Sequence, residues 1–347
     1  MGEARLEERL RRFRAEVSSL RKPLIEDVFE RALLLSPEDF EVTNYSRRRP
    51  LAAFNPGALL VGEELYIFPR MIFDYYKYVS SVALTKVKLA EILEDRVKRP
   101  LRSEIILWPR YIWEFLGTED PRAHIVNDKV YILYTGKGYY LEEELAKRRD
   151  VLGFIEADLE GEVRERFFFK IRGDEGEYLT YSNKDSTFLR FSGERATMLT
   201  RPDVRGLRVC WRAEVSLRER VILEDSLTPV MGFESWELKV GWSTNAVRVS
   251  SNEFLVGWHG VVKEDLSYRN GLALVDEQGD LLAISNYLLS PRGLVEEYGD
   301  RSHVIFGDGL VLYNDTLIWV GGVSDYATGV FTTPLQKALD KLKWIRG

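Results

Sequence analysis

The sequence predicts an all-β fold, a five-bladed β-propeller with a helix at each end, and three observations lead there. Short apolar or alternating runs bounded by Gly, Asp and Asn fill most of residues 45–333. These runs come in pairs joined by tight-turn residues. The pairs recur roughly every 50–60 residues with no helical pattern between them. A β-sandwich spaces its turns more closely, and a parallel α/β sheet needs crossover helices, so radial repetition of four-stranded blades fits best. No linker or low-complexity stretch interrupts the pattern. Residues 1–347 therefore read as one domain, with helix at 1–24, propeller at 45–333 and helix at 334–347.

At the N-terminus, Leu6, Leu10, Phe13, Val17 and Leu20 form one apolar stripe at helical spacing, closed by Pro23. Such a stripe packs on the body of the protein or, because it also fits a short heptad seam, joins copies into a homo-oligomer. Hairpins follow. Ala58–Val61 precedes Leu65–Phe68, Ala123–Val126 precedes Val130–Tyr134, and Leu310–Tyr313 precedes Leu317–Val320. The linkers of the last two, Asn127-Asp128-Lys129 and Asn314-Asp315-Thr316, carry residues that tolerate positive φ. Phe188–Phe191 with Thr197–Leu199, Ala246–Val249 with Phe254–Trp258, and Leu272–Val275 with Leu281–Ile284 repeat the arrangement. At the C-terminus, Pro334 opens a predicted helix with Leu335, Leu339, Leu342 and Ile345 on one face.

Composition narrows the function. The chain is 45% hydrophobic and 12% aromatic, enough to build a core. A net charge of −6 provides no global basic field, so neither nucleic acid nor an anionic membrane is an expected partner. Cys210 has no partner for an internal disulfide, and with His124, His259 and His303 it is a poor basis for a zinc site. Neither a metal nor an organic cofactor is expected. No apolar run approaches about 18 residues, and the Arg- and Glu-rich N-terminus lacks a signal-peptide core, so a cytoplasmic location is expected. P-loop, G-x-S-x-G and H-E-x-x-H motifs are absent.

Several polar residues sit beside strand ends without an evident turn or surface role. Phe54-Asn55-Pro56-Gly57-Ala58 reads as an Asn-Pro turn entering a strand, and Arg70 follows fifteen residues after Asn55. Gly117-Thr118-Glu119-Asp120-Pro121-Arg122 is a charged knot before an apolar strand. It is either an Asp-Pro turn with an ion pair or a carboxyl held for proton transfer. On an extended chain Glu119 and Asp120 point apart, so one of them is expected to be structural. Lys184, Arg201, Lys239 and His259, the last flanked by Trp258 and Gly260, are scattered cations that would form an oxyanion site if they converged. Asp325 ends a Gly-rich stretch. Phe73–Tyr78 and Tyr139-Tyr140 offer either core packing or aromatic platforms for a sugar.

Taken in order, these pieces resemble glycoside hydrolase family 130, the β-mannoside phosphorylases and related mannosidases. The likeness rests on Phe54–Ala58, Arg70, Glu119–Arg122, Lys184-Asp185, Arg201-Pro202, Lys239, Trp258–Gly260, Tyr268-Arg269 and Gly322 through Asp325. It implies a five-bladed propeller and an inverting phosphorolysis. Inorganic phosphate, as co-substrate, attacks a terminal β-1,2- or β-1,4-linked mannosyl unit of a manno-oligosaccharide and releases α-mannose 1-phosphate. By the resemblance, Asp120 is the general acid, acting through a sugar hydroxyl. Asn55, Arg70 and Asp325 hold the mannosyl unit, and Lys184, Arg201, Lys239 and His259 bind phosphate. Hydrolytic inversion needs a second carboxyl to activate water, whereas phosphate needs cations to position it, so the cations favour phosphorolysis. A β-mannoside hydrolase of the same family and a non-catalytic glycan- or protein-binding propeller are the alternatives.

Overall fold

Apolar runs punctuated by left-handed turn residues drive the chain into antiparallel hairpins, and every predicted pair forms. Ala58 faces Ile67, Ala123 faces Ile132, Met198 faces Phe188, and Leu310 faces Trp319. Asn127, Asp128 and Asn314 take φ of 50°, 62° and 50°, the left-handed conformation their turns require. The structure, a computed structural model, describes residues 3–16, 21–142 and 144–345.

The strands group into five sheets. Their innermost members are Ala52–Val61, Gly117–Val126, Asn183–Ser192, Glu237–Arg248 and Ile305–Tyr313, and these pack against one another around the centre. The propeller-like arrangement resolves into four blades rather than the five predicted from hairpin spacing. The sheet furthest from a four-stranded meander has eight strands and spans Lys170–Met231. There Lys170–Gly173 runs parallel to Val221–Leu223, and Leu207–Arg208 and Thr228–Met231 branch off the main path.

Both chain ends differ from expectation. Glu3–Glu16 is helical, with Leu6 and Leu10 buried in the chain's own core and Phe13 packed beside them. The described part of the stripe thus packs on the body of the chain, while Val17 and Leu20 lie outside the described residues. Glu30–Leu35, which the spacing did not reveal, is the outer strand of the last sheet. It pairs with Ala327–Pro334 and so ties the beginning of the fold to its end. The predicted C-terminal helix shortens to Leu335–Leu339. Lys343–Trp344 then adds a strand to Leu281–Ile284, whose free edge offers ladder hydrogen bonds that a longer helix would leave unmade. No helix among the described residues is long and apolar enough to cross a membrane.

What positions the site is an irregularity repeated in each innermost strand. Register slips between Phe54 and Gly57, Glu119 and Arg122, Lys184 and Thr187, Trp242 and Ala246, and Gly307 and Gly309. A bulge turns the strand and re-aims its side chains. Asn55, Asp120 and Asp185 occupy the first three with φ of 44°, 53° and 52°. Asn and Asp are among the few non-glycine residues that accept that conformation. Gly57 and Gly309 let neighbouring strands touch at this level, because a side chain there would run into Pro121 and Ala58 respectively.

Candidate active site

The bulges open onto a cavity of about 300 Å³, and all eight residues singled out as site residues line it: Asn55, Arg70, Asp120, Lys184, Arg201, Lys239, His259 and Asp325. They come from five sheets and meet only because the inner strands converge.

One wall is built on Asp120. Its Oδ1 accepts hydrogen bonds from Asn55 Nδ2 at 3.0 Å and from Arg70 at 3.2 Å. The other arm of Arg70 donates to Glu119 Oε1 at 2.8 Å. Glu119 was expected to point away from Asp120. The left-handed backbone at Asp120 breaks strand alternation, so both carboxylates face the cavity. Burial alone would raise the Glu119 pKa, but Arg70, Lys184 and Lys137 outweigh it and hold the carboxyl down at about 2. Lys137 lies 3.1 Å from Glu119. Lys184 lies 3.7 Å from Glu119 and 2.9 Å from Asp150, so it stands with the carboxylates. Asp325 behaves differently. It follows Ser324 in a left-handed pair, and burial raises its carboxyl to about 6 against the pull of Arg70 and Arg301.

The facing wall is cationic. Arg201 Nε donates to Asp185 Oδ2 at 2.5 Å, and His259 Nε2 lies 3.8 Å from the same oxygen. The other ring nitrogen, Nδ1, is 3.0 Å from Ser243 Oγ, and the ring stacks on Tyr268 at 5.6 Å. Burial drives the His259 pKa well below the usual histidine value, so its ring is neutral. Lys239 Nζ and the Arg301 guanidinium lie 4.9 Å and 4.6 Å from the Tyr268 ring centre. Neither makes an ion pair among the described residues. Burial and then Arg201 push Lys239 down to about 7, with Asp185 opposing.

Arg122 joins the two walls. It is 2% exposed and donates to the Asp120 carbonyl at 2.8 Å and to the Ser243 carbonyl at 2.8 Å. It also reaches Asp185 at 3.5 Å and Asp308 at 2.8 Å. The Asp308 contact is close in distance but not aligned as a hydrogen bond, and both carboxylate oxygens of this buried side chain lack hydrogen-bond partners. Burial raises the Asp308 pKa well above the usual range, as expected for a desolvated carboxyl.

Sequence reasoning missed Lys137 and Arg301 as cavity residues, whereas Tyr78, from the run named as a candidate aromatic platform, does line the cavity. It also missed a signal that bears directly on the site. Asn55-Pro56-Gly57-Ala58 and Asp120-Pro121-Arg122-Ala123 stand 65 residues apart, and Asp185 follows 65 residues after Asp120. The site repeat is thus written in the bulges rather than in the hairpins. Tyr139 and Tyr140 pack on Phe115 and Phe168 and do not line the cavity. Among the described residues no cluster of three or more His, Cys, Asp or Glu is placed to hold a metal ion.

The arrangement can hold a neutral polyol against hydrogen-bonding carboxylates, present a carboxyl oxygen fixed on one side, and receive an anion at the opposite corner. The sequence model of the β-1,4-mannooligosaccharide phosphorylase family matches residues 19–344. A β-1,2-mannobiose phosphorylase from Listeria innocua, solved with β-1,2-mannobiose, is similar over 91% of this chain and 99% of its own, at 16% identity and a TM-score of 0.65. A glycoside hydrolase of the mannoside phosphorylase family that targets β-1,2 linkages in Candida mannan is similar over 92% and 97%, at 13% identity and 0.66. The catalytic domain of an α-L-arabinofuranosidase from Coprinopsis cinerea is similar over 89% and 98%, at 12% identity and 0.50. At these identities the likeness is one of fold. No curated protein matches in sequence.

Proposed function

We propose, from the premise that this chain belongs to glycoside hydrolase family 130, that it is an inverting β-mannoside phosphorylase. The observation that supports this most is the division of the cavity into a carboxylate wall around Asp120 and a cationic corner of Arg201, Lys239, Arg301 and neutral His259. A terminal β-1,2- or β-1,4-linked mannosyl unit sits against Asn55, Arg70 and Asp325. Inorganic phosphate occupies the cationic corner. A phosphate oxygen attacks the anomeric carbon on the face opposite the glycosidic bond, forming the new C–O bond as the old one breaks. Asp120 supplies the proton that the departing oxygen takes up, relayed through a sugar hydroxyl. The products are α-mannose 1-phosphate and a glycan one unit shorter. Arg70 and Asn55, both on Oδ1, fix the carboxyl without occupying Oδ2. Cations gathered around the nucleophile offset its repulsion from the carboxylate wall.

The experiment is product analysis with β-1,2- and β-1,4-mannobiose, with and without phosphate. Mannose 1-phosphate that appears only with phosphate supports the reading. Free mannose formed equally well without phosphate overturns it in favour of hydrolysis. That second reading has its own observation: Asp325, raised to about 6, is a carboxyl in the cavity able to exchange a proton near neutrality.

A further inference from the structure

Behind the cationic corner lies a buried ion pair that no step above uses. Arg21 stands beyond the helix Glu3–Glu16, in a segment fastened to residues 286–288. There Lys22 donates its N–H to Asn286 Oδ1 at 2.9 Å, Glu26 to the Tyr287 carbonyl at 2.8 Å and Val28 to the Leu288 carbonyl at 3.1 Å. The Arg21 guanidinium reaches Glu237 with both arms, at 2.5 Å and 2.7 Å, and the Gly232 carbonyl at 3.1 Å. Its centre lies 4.3 Å from the centre of the Trp258 ring. Arg21 is 3% exposed and Glu237 0%, so water screens neither charge. Tyr287 Oη also donates to Glu237 and accepts a hydrogen bond from Trp236 Nε1 at 3.2 Å.

Glu237 and Trp258 each stand beside a cavity residue. Glu237 opens the strand Glu237–Arg248, and Lys239 follows two positions later across a register slip. Trp258 precedes His259 on the neighbouring strand, Glu253–Val262. The two strands pair at this level, Lys239 with Val261 and Gly241 with His259. Gly260 lies so close to Glu237 that a Cβ there would strike the carboxylate. One guanidinium therefore grips both strands from behind, next to the bulge that re-aims the first of them. A buried pair is a poor source of stability, because apolar side chains of similar volume often serve as well or better. What a two-armed fork and a ring contact add is direction. We propose that Arg21 is a positioning residue for the cationic corner, holding through Glu237 and Trp258 the strands that aim Lys239 and His259 at an anion. The segment that carries Arg21 is thereby part of phosphate binding, although Arg21 does not line the cavity. The proposal rests on the phosphate reading of that corner.

The test is calorimetric titration with inorganic phosphate and, separately, with β-1,2- and β-1,4-mannobiose. It compares the wild type, Arg21→Lys and the double variant Arg21→Met with Glu237→Met. The double variant removes the pair without leaving a lone buried charge, so it is expected to unfold in urea near the wild-type midpoint. Arg21→Lys keeps the charge but loses the fork and the ring contact. Phosphate affinity is expected to fall about tenfold in the double variant and about threefold in Arg21→Lys, with mannobiose affinity within about twofold of wild type in both. Wild-type phosphate affinity in a double variant of matched stability marks the pair as structural only and overturns the positioning role. Phosphate and mannobiose weakened together overturn it as well. Should the double variant not fold, Arg21→Lys decides alone. If the wild type binds phosphate but no mannobiose, the sugar reading fails by itself, and the urea midpoint replaces the sugar as the reference. A wild type that binds no phosphate overturns the phosphate reading and the positioning role with it, whereas phosphate bound equally by all three proteins overturns the positioning role alone.

Discussion

The two walls of the cavity are built from similar residues and reach opposite electrostatic states. On the carboxylate wall, Arg70, Lys137 and Lys184 all lie within ion-pair distance of Glu119, and Asn55 and Arg70 satisfy Asp120 Oδ1. That wall is organised before any ligand arrives. On the cationic wall only Arg201 has a close carboxylate, while Lys239 and Arg301 share the face region of Tyr268 without one. On the proposed reading, phosphate completes it. The contrast teaches that one side fixes geometry and the other leaves charge unmet, an arrangement that suits the proposed pairing of a neutral sugar with an incoming phosphate.

The comparison can be broken at its strongest point first. Asp120→Asn is expected to cut turnover by about 10²–10⁴-fold with mannoside binding retained, because the amide keeps the shape but has no acidic proton. Steady-state kinetics beside calorimetric binding checks this, and a near wild-type rate would remove Asp120 from the acid role. Arg122→Met is expected to destabilise the fold by about 3–5 kcal/mol, since it leaves buried Asp308 without its ion-pair partner and the Asp120 and Ser243 carbonyls without their Arg122 donors, while Asp185 keeps Arg201. Urea denaturation measures that loss, and little change would mean the walls are held together by other contacts.

Lys239→Met is expected to raise the KM for phosphate by about tenfold or more and to leave mannoside KM within about twofold. Equal changes in both would dissolve the division between walls. A smaller effect concerns pH. With Lys239 at about 7 rather than its ordinary 10.5, the empty site loses its proton as pH rises through neutrality, whereas an anion favours the protonated form. Affinity for sulfate, whose charge is constant there, should therefore fall from about pH 6 to about 8 and become flat in Lys239→Met. Without an anion the sign is reversed. The unfolded chain binds the extra proton above about pH 7, so this group's contribution to stability grows as pH climbs toward 10.5. The least effect belongs to Lys137→Met, which leaves Glu119 with Arg70 and Lys184. A stability loss below about 1 kcal/mol in the same urea measurement is expected for this half-buried pair, and a larger one would mean the wall lacks redundancy.

Much of this was legible in the chain, and its limits have physical causes. Asn127 and Asn314 announced their hairpins because a left-handed turn is a local property of a few residues. The shortened C-terminal helix was not legible, because Leu335, Leu339 and Leu342 pack on the core whichever way the backbone continues. The missing edge partner at Leu281–Ile284 decides between helix and strand. The outer strand Glu30–Leu35 escaped for a similar reason: its ladder partner lies near residue 330, and no local pattern names it. The expected separation of Glu119 from Asp120 failed at one dihedral angle, the positive φ of Asp120.

By itself the sequence determined the all-β architecture, the positions of the turns and the identities of eight of the residues that line the cavity, since alternation, turn chemistry and motif order are written along the chain. Tertiary structure alone decided how the strands divide among sheets and blades, which cations are paired and which are left waiting, and where Arg122 joins the walls. Those outcomes depend on distances between residues scores of positions apart, and on the water excluded as five inner strands close around the centre.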